Sequence, residues 1–497
     1  MNNNAEEVPA VAEEKKEEEV TCDEESDRKA KLEILIQHLE PLCNDDAEHE
    51  QLRKIGKALR YGDKLTGKAL SGGYTNFSYK VFLESDPSVA VFAKVGFTFA
   101  IWAPDRSVFY DLDRMATEYE CMQRFSKELG EEDPCVPTPF ALINISKDIR
   151  ALVAEWVAPS DEQWAHQFIE GEVDDRPLMK CAQALARVNL AQCPNPDINK
   201  GFNDCFKEIC DGTDELYLEL LESPASDDRA VEYAKLMGHD RLLAALKGWH
   251  DADNSQECFV HGDAHVFNMM VERKPDACNL ENFGPNGKLY ICDWEMVNKG
   301  DKGNDVGRFF SFPILAAGFL ASRGHGASAD GLLDTMRQFW EEYKRVMVAE
   351  GNNSEKELAS ILLSAIGYCG WFSSFVYYLC KYFLDYHNKD GLTENEVEQV
   401  MASNGLIALK SMEMCYLEHS KHALLDLEDL EELFFSGLIK QELLHLENTI
   451  GAASMNRKAA RRRSSLLRCS ERRASDTGFG MVVRRLSSDF YDIEELP

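Results

Sequence analysis

The stretch Cys258–Glu272, CFVHGDAHVFNMMVE, sets His261, Asp263, His265 and Asn268 between two short apolar runs. A second stretch, Lys288–Phe310 (KLYICDWEMVNKGDKGNDVGRFF), brings Asp293 and Glu295 straight after another β-like run. An acid and an amide five residues apart, followed by Asp-x-Glu at a strand end, make a set of hard oxygen donors. Asp263 is the candidate to accept a hydrogen bond from a hydroxyl and orient it for in-line attack on a phosphoryl group. Asn268 and Asp293 offer the amide and carboxylate oxygens that magnesium prefers. Glu295 lies two residues beyond Asp293, and on an extended segment it shares a face with it and can share the metal. Zinc on His261 and His265 would need both on one helix face. Gly262 and the β-like run before it argue against a helix, and no third nitrogen or sulfur ligand is close in sequence.

A separate group lies upstream. LSGGYTNFSYKVFL (Leu70–Leu83) places Gly72 and Gly73 between two β-like runs, with Thr75 and Asn76 as side-chain donors. Paired glycines permit a tight turn and close approach of backbone N–H groups to a ligand. Lys94 follows near the end of the apolar run VAVFAKVG, and Glu118 sits mid-helix in TEYECM. Each has a plain alternative: a simple hairpin, an edge lysine turned to water, a solvent-facing acid. In this order, glycine turn, strand lysine and helix glutamate form the set with which protein-kinase-like folds hold nucleotide phosphates.

At 497 residues the chain has room for two or three lobes. A formal net charge of −33 disfavours general nucleic-acid binding, because polyanions repel. The 15 cysteines form no CxxC pair and no regular spacing, so neither a zinc ribbon nor a disulfide framework is expected. The first residues lack the basic and apolar regions of a secretory signal, and a reducing cytoplasmic setting is the expectation. Ala359–Cys380 is uncharged and long enough to span a bilayer. Its serines and glycines, with charged helical sequence on both sides, favour a buried helix instead.

Residues 1–50 read as an acidic leader, disordered at least to about 26. Residues 51–157 read as a small nucleotide-binding lobe, in which short β-like runs dominate from about Lys68 to Val157, interrupted by one helical pattern with Met115, Tyr119, Met122 and Phe125 at helical spacing. From 158 to 452 the chain is mainly helical apart from the two opening stretches. Residues 453–497 form a basic, serine-rich tail, expected to be disordered. Its RRSS, RRAS and RRLS place two arginines ahead of Ser465, Ser475 and Ser487, a pattern suited to a basophilic protein kinase. The fold class is therefore α+β, with a small sheet lobe and a large helical lobe.

These motifs resemble the small-molecule kinases of the aminoglycoside phosphotransferase, choline kinase and methylthioribose kinase superfamily. LSGGYTNFSYKV is similar to their glycine-rich loop, HGDAHVFN to their catalytic loop and ICDWE to their metal site, over roughly Leu70 to Glu342. Gly262 and Trp294-Glu295, where protein kinases carry Arg and Phe-Gly, favour the small-molecule branch. The resemblance implies a protein-kinase-like two-lobe fold, with ATP and Mg2+ as cofactors and a small hydroxyl-bearing acceptor. It implies catalytic roles for Asp263 and Asn268 and metal binding by Asn268, Asp293 and Glu295. Nucleotide binding falls to Gly72, Gly73, Thr75, Asn76, Lys94 and Glu118. It further implies that AEWVA (Ala154–Ala158) is a hinge, where backbone at Glu155 and Val157 pairs with adenine, and that Asp305 braces the catalytic loop. The acceptor stays open. HxxN and DWE are similar to choline and ethanolamine kinases, whereas LDRMATEYECM and the segment after Asp305 are similar to methylthioribose kinases. A regulatory pseudokinase that keeps the fold without turnover is the alternative reading.

Overall fold

A computed structural model describes residues 24–70, 75–99, 110–129, 135–157, 161–193, 195, 198–199, 218, 221–222, 229–248, 258–272, 288–387, 393–419 and 425–451. Gly72, Gly73, Ala158 and the serines of the basic tail lie outside these residues. The chain divides into two compact units, one of 1–119 with 138–159, the other of 120–137 with 160–497.

The first unit carries helices α1 (Glu24–Leu39) and α2 (Glu50–Arg60) and strands β1 (Leu65–Ala69), β2 (Asn76–Leu83), β3 (Ala90–Phe97), β4 (Pro139–Ser146) and β5 (Ile149–Glu155). The strands form one antiparallel sheet in the order β1-β2-β3-β5-β4. Period-2 alternation decides its core face: Phe77, Tyr79, Val81 and Leu83 of β2 and Val91, Ala93, Val95 and Phe97 of β3 are all buried. Leu35 and Leu39 of α1 and Leu52 and Ile55 of α2 join the same core. Full burial of each such side chain contributes about 1.5–3 kcal/mol. The stretch 24–50 is thus part of the sheet unit rather than of an acidic leader. Its two core leucines are too sparse, among the charges of α1, to show as a helical stripe.

Helix α3 (Asp113–Glu128) begins in the first unit and continues from Glu120 in the second. Of its four apolar positions, Met115, Met122 and Phe125 are buried, as the helical spacing predicts, and Tyr119 is half-buried.

The second unit is mainly helical. It contains β6 (Asp161–Gln163), α4 (Ala165–Glu170), α5 (Asp175–Leu190), α6 (Arg229–Gly248, kinked at Gly238), β7 (Cys258–Val260), β8 (Met269–Glu272), β9 (Leu289–Ile291) and β10 (Asn298–Gly300). Helices α7 (Gly303–Ser322), α8 (Gly326–Ala349), α9 (Glu355–His387), α10 (Glu394–His419), α11 (Leu427–Glu431) and α12 (Lys440–Leu446) follow. The short strands pair antiparallel as β6-β8-β9 and β10-β7 and carry the two opening stretches. Every residue of α7 is buried, and α9 is buried over most of 358–372. No helix among the described residues is long and apolar enough to cross a membrane. Ala359–Cys380 is accordingly one portion of α9.

Candidate functional site

In the first unit, Lys94 lies on β3 opposite Ser78 of β2 and Leu152 of β5, in the interior of the sheet. Alternation turns it away from the core face that Ala93 and Val95 share, yet only 5% of it is exposed. A buried ammonium needs a partner. Nζ donates to both carboxylate oxygens of Glu118 on α3, at 3.1 and 2.9 Å. Neither residue has the solvent-facing alternative open to it, since Glu118 is 2% exposed. Glu120, the nearby acid that could have competed, is exposed.

Around the expected phosphate loop the picture is mixed. Asn76 is buried: its Oδ1 accepts from Arg114 Nη2 at 3.0 Å and its Nδ2 donates to Thr75 Oγ1 at 2.8 Å. Arg114, itself fully buried, also donates to the Phe97 and Asp111 carbonyls. The Asn76 amide thus works within the protein as a bolt between the start of β2 and α3. At the end of β5, Glu155 N–H donates to the Thr138 carbonyl at 2.8 Å, and its Oε2 accepts from Thr138 N–H at 3.2 Å. Of the backbone pair assigned to adenine, the Glu155 N–H is already engaged, while Val157 lies in the irregular stretch after the strand.

In the second unit, the loop from His261 to Asn268 is pinned from below. Asp305, in the first turn of α7 and fully buried, accepts from His261 N–H and Gly262 N–H, both at 2.9 Å. Asn189 Nδ2 donates to the same carboxylate at 2.8 Å and Tyr343 OH donates to Asn189 Oδ1 at 2.8 Å. His261 Nδ1 accepts from Asp263 N–H, and its Nε2 lies 3.0 Å from the Cys292 carbonyl, so the ring ties the loop to the end of β9. Burial pushes its pKa down, against the raising influence of Asp305, Asp263 and Asp293. A neutral ring with Nε2–H satisfies both contacts. Among the described residues, no cluster of metal-ligating side chains includes either histidine.

Gly262 explains why no arginine stands there. Its φ is +78°, and a Cβ would lie 2.2 Å from the Met296 carbonyl oxygen. Gly262→Ala is expected to destabilise the protein by more than the roughly 1–2 kcal/mol of left-handed strain alone, because the clash is with backbone. Urea unfolding checks this. A midpoint unchanged from wild type would show that the loop adjusts freely.

The Asp263 carboxylate is about four-fifths buried and held from both sides. Oδ1 accepts from Arg308 Nη1 at 3.0 Å, and Oδ2 accepts from Asn268 Nδ2 at 2.8 Å, with His265 Nε2 3.3 Å away. Burial works to raise its pKa, but His265, Arg308 and His261 together outweigh it and hold the carboxyl well below the usual range. Asn268 closes a short 3-10 turn, its Nδ2 also reaching the Asp263 carbonyl, and its Oδ1 accepts no hydrogen bond among the described residues.

Asp293 and Glu295 bring carboxylate oxygens within 4.8 Å of one another. They do so differently from the extended segment expected: Asp293 is left-handed (φ 63°) and residues 294–296 form a 3-10 turn. Trp294 fixes that turn. Its Nε1 donates to the Ile291 carbonyl, and its ring stacks on Phe125 and meets His261 edge-on.

The residues that sequence reasoning missed are Arg308 and the Asn189–Tyr343 relay beneath Asp305. Asn304 and Arg308 stand at i, i+4, a spacing that marks side-chain neighbours on a helix. Nothing in the sequence signals that Asn189, on α5, reaches Asp305.

Against known proteins, residues 66–339 match the phosphotransferase enzyme family. That is more than half of the chain, and the protein belongs to this family. Among solved structures, it is similar to an aminoglycoside phosphotransferase from Alicyclobacillus acidocaldarius (12% identity, covering 76% of this chain and 92% of that one, TM-score 0.39). It is also similar to a glucosamine kinase (13% identity, 71% and 81% covered, TM-score 0.39). No curated protein matches.

Lys94 and Glu118 provide a test of the first unit. Removing one partner of a buried pair leaves an uncompensated charge, so Lys94→Ala and Glu118→Ala are each expected to cost several kcal/mol of stability. The double variant should lose less than the sum by about 1–3 kcal/mol. Additive losses in denaturant unfolding would show that the two side chains act separately.

Proposed function

We propose that this protein transfers the γ-phosphate of ATP to a hydroxyl of a small metabolite with the help of Mg2+. The observation that carries the reading is the Asp263 carboxylate, hydrogen-bonded by Arg308 and Asn268 on a loop whose backbone Asp305 pins.

The Asp293 and Glu295 carboxylates lie close together, and with Asn268 Oδ1, which accepts no hydrogen bond among the described residues, they are hard oxygens of the kind that would suit magnesium. When bound there, Mg2+ neutralises phosphate charge. Asp263 accepts the hydrogen bond of the acceptor hydroxyl and aims its oxygen. As the acceptor oxygen bonds to the γ-phosphorus, the bond to the β,γ-bridging oxygen breaks, ADP leaves with that electron pair, and the hydroxyl proton passes to a carboxylate oxygen of Asp263. Lys94, oriented by its hydrogen bonds to Glu118, binds phosphate oxygens. Asn76, bonded to Arg114, supports the strand.

An ATP-consumption screen over choline, ethanolamine, methylthioribose, aminoglycosides, glucosamine and neutral sugars tests the reading. Acceptor-dependent ADP formation that vanishes without Mg2+ is the expected result. Acceptor-dependent turnover at an undiminished rate in EDTA would remove magnesium from the account.

A further inference from the structure

We propose that Arg308 is a positioning residue for this transfer: it fixes the Asp263 carboxylate from one side while Asn268 fixes it from the other. Kinetic evidence for this rests on the phosphotransferase reading above; structural evidence does not.

The sequence GNDVGR places Asn304, Asp305 and Arg308 in the first turns of α7. Asp305 holds the loop backbone at His261 and Gly262. Arg308, one turn further on, reaches the side chain that backbone carries, with Nη1 3.0 Å from Asp263 Oδ1. One helix thus anchors both the loop and its carboxylate.

Arg308 is itself held. It is 4% exposed, and its Nε donates to Asn304 Oδ1 at 2.9 Å. Its guanidinium lies 4.8 Å from the Phe372 ring centroid and 5.4 Å from that of Trp371, both on α9. Helix α9 can come this near because Gly307 faces it: a Cβ there would lie 2.4 Å from the Ala365 carbonyl oxygen. Phe372 also stacks on His265, at 5.6 Å and 20°.

A lone carboxylate turns easily about its last torsion, a broad two-fold well. Here its two oxygens are held by donors from different elements, which removes that freedom and leaves further lone pairs for the acceptor hydroxyl. The planar fork of arginine serves Asn304 and Asp263 at once, and a lysine ammonium at the end of a flexible stem cannot reproduce that fork. A misplacement of about 1 Å at a reacting group costs roughly 10²-fold in rate.

Two measurements on the full chain test this, with Arg308→Lys retaining charge and Arg308→Met retaining bulk should either variant fold poorly. The first needs no acceptor. In protein labelled with 15N-asparagine, the Asn268 side-chain amide resonance (assigned by its loss in Asn268→Asp) should shift in Arg308→Met and shift less in Arg308→Lys. An unmoved resonance in folded Arg308→Met overturns the proposal. The second uses whichever panel compound supports turnover. Arg308→Met should lower kcat about 10²-fold with KM for ATP within about twofold, and should add no further loss on an Asp263→Asn background. A full loss on that background, or a fall in melting temperature with kcat unchanged, would make Arg308 merely structural. A panel without any acceptor would count against the phosphotransferase reading, while the resonance would still decide the positioning claim.

Discussion

Asp263→Asn is expected to lower phosphoryl transfer by about 10³-fold, within the range that a positioned general base contributes, while MgATP affinity stays within about twofold. The substitution is nearly isosteric and preserves a partner for Asn268, but it presents an amide to Arg308 and cannot take the hydroxyl proton. It also leaves the Arg308 charge buried without its carboxylate, so some loss of stability should accompany the loss of rate. Asp263→Asn and wild type should further differ in their response to acid. The folded-state pKa of Asp263 lies below that of an unfolded aspartate, near 3.9. The pair's stabilisation is therefore fully present above that unfolded value and is lost as pH falls through the folded one. Thermal melts between about pH 3 and 7 should show wild type losing part of its advantage over the variant only at the acid end. A variant with wild-type turnover would remove Asp263 from the chemistry.

Asp305→Ala has the second large expected effect, and it falls on folding before it falls on catalysis. The substitution leaves the N–H groups of His261 and Gly262 buried without an acceptor. At roughly 1–3 kcal/mol for each orphaned donor, the loss is about 2–6 kcal/mol. Asn189 Nδ2 retains the Phe259 carbonyl at 3.0 Å and adds little to this. Asp305→Asn keeps one acceptor oxygen, so it should fall between wild type and Asp305→Ala. Urea midpoints at constant slope measure the series. If Asp305→Ala unfolded like wild type, the claim that the α7 start holds the loop would fail.

Much of this architecture was legible in the residues because the informative patterns are local. Short β-like runs gave β2 and β3, helical spacing gave α3, and HGD with N five residues on marked a loop between short strands. Lys94 and Glu118 were legible only by their order along the chain. Burial of both residues depends on β3 being interior to the sheet and on the angle of α3, and neither is encoded at short range. The same limit hid Arg308, since an arginine in an apolar helix reads equally as a surface residue until α9 is laid over it. The Asp293–Glu295 pair was found for a reason the structure replaces. A left-handed residue and a 3-10 turn, wedged by Trp294, do what an extended segment was expected to do. Asn76 shows the opposite case, where a donor of the right type in the right place has an internal partner in Arg114. Helix α1 stayed hidden because two buried leucines among many charges do not outweigh an acidic composition.

The central claim is that this chain makes a phosphate ester, and 31P NMR of the full protein with MgATP and the acceptor panel tests it most directly. The account predicts that the γ-phosphate signal of ATP declines while a phosphomonoester signal grows with at least one acceptor. It also predicts that Asp263→Asn, under the same conditions, shows neither change beyond background. If wild type bound MgATP yet produced no phosphomonoester with any compound, the result would contradict the account and favour a nucleotide-binding module without turnover.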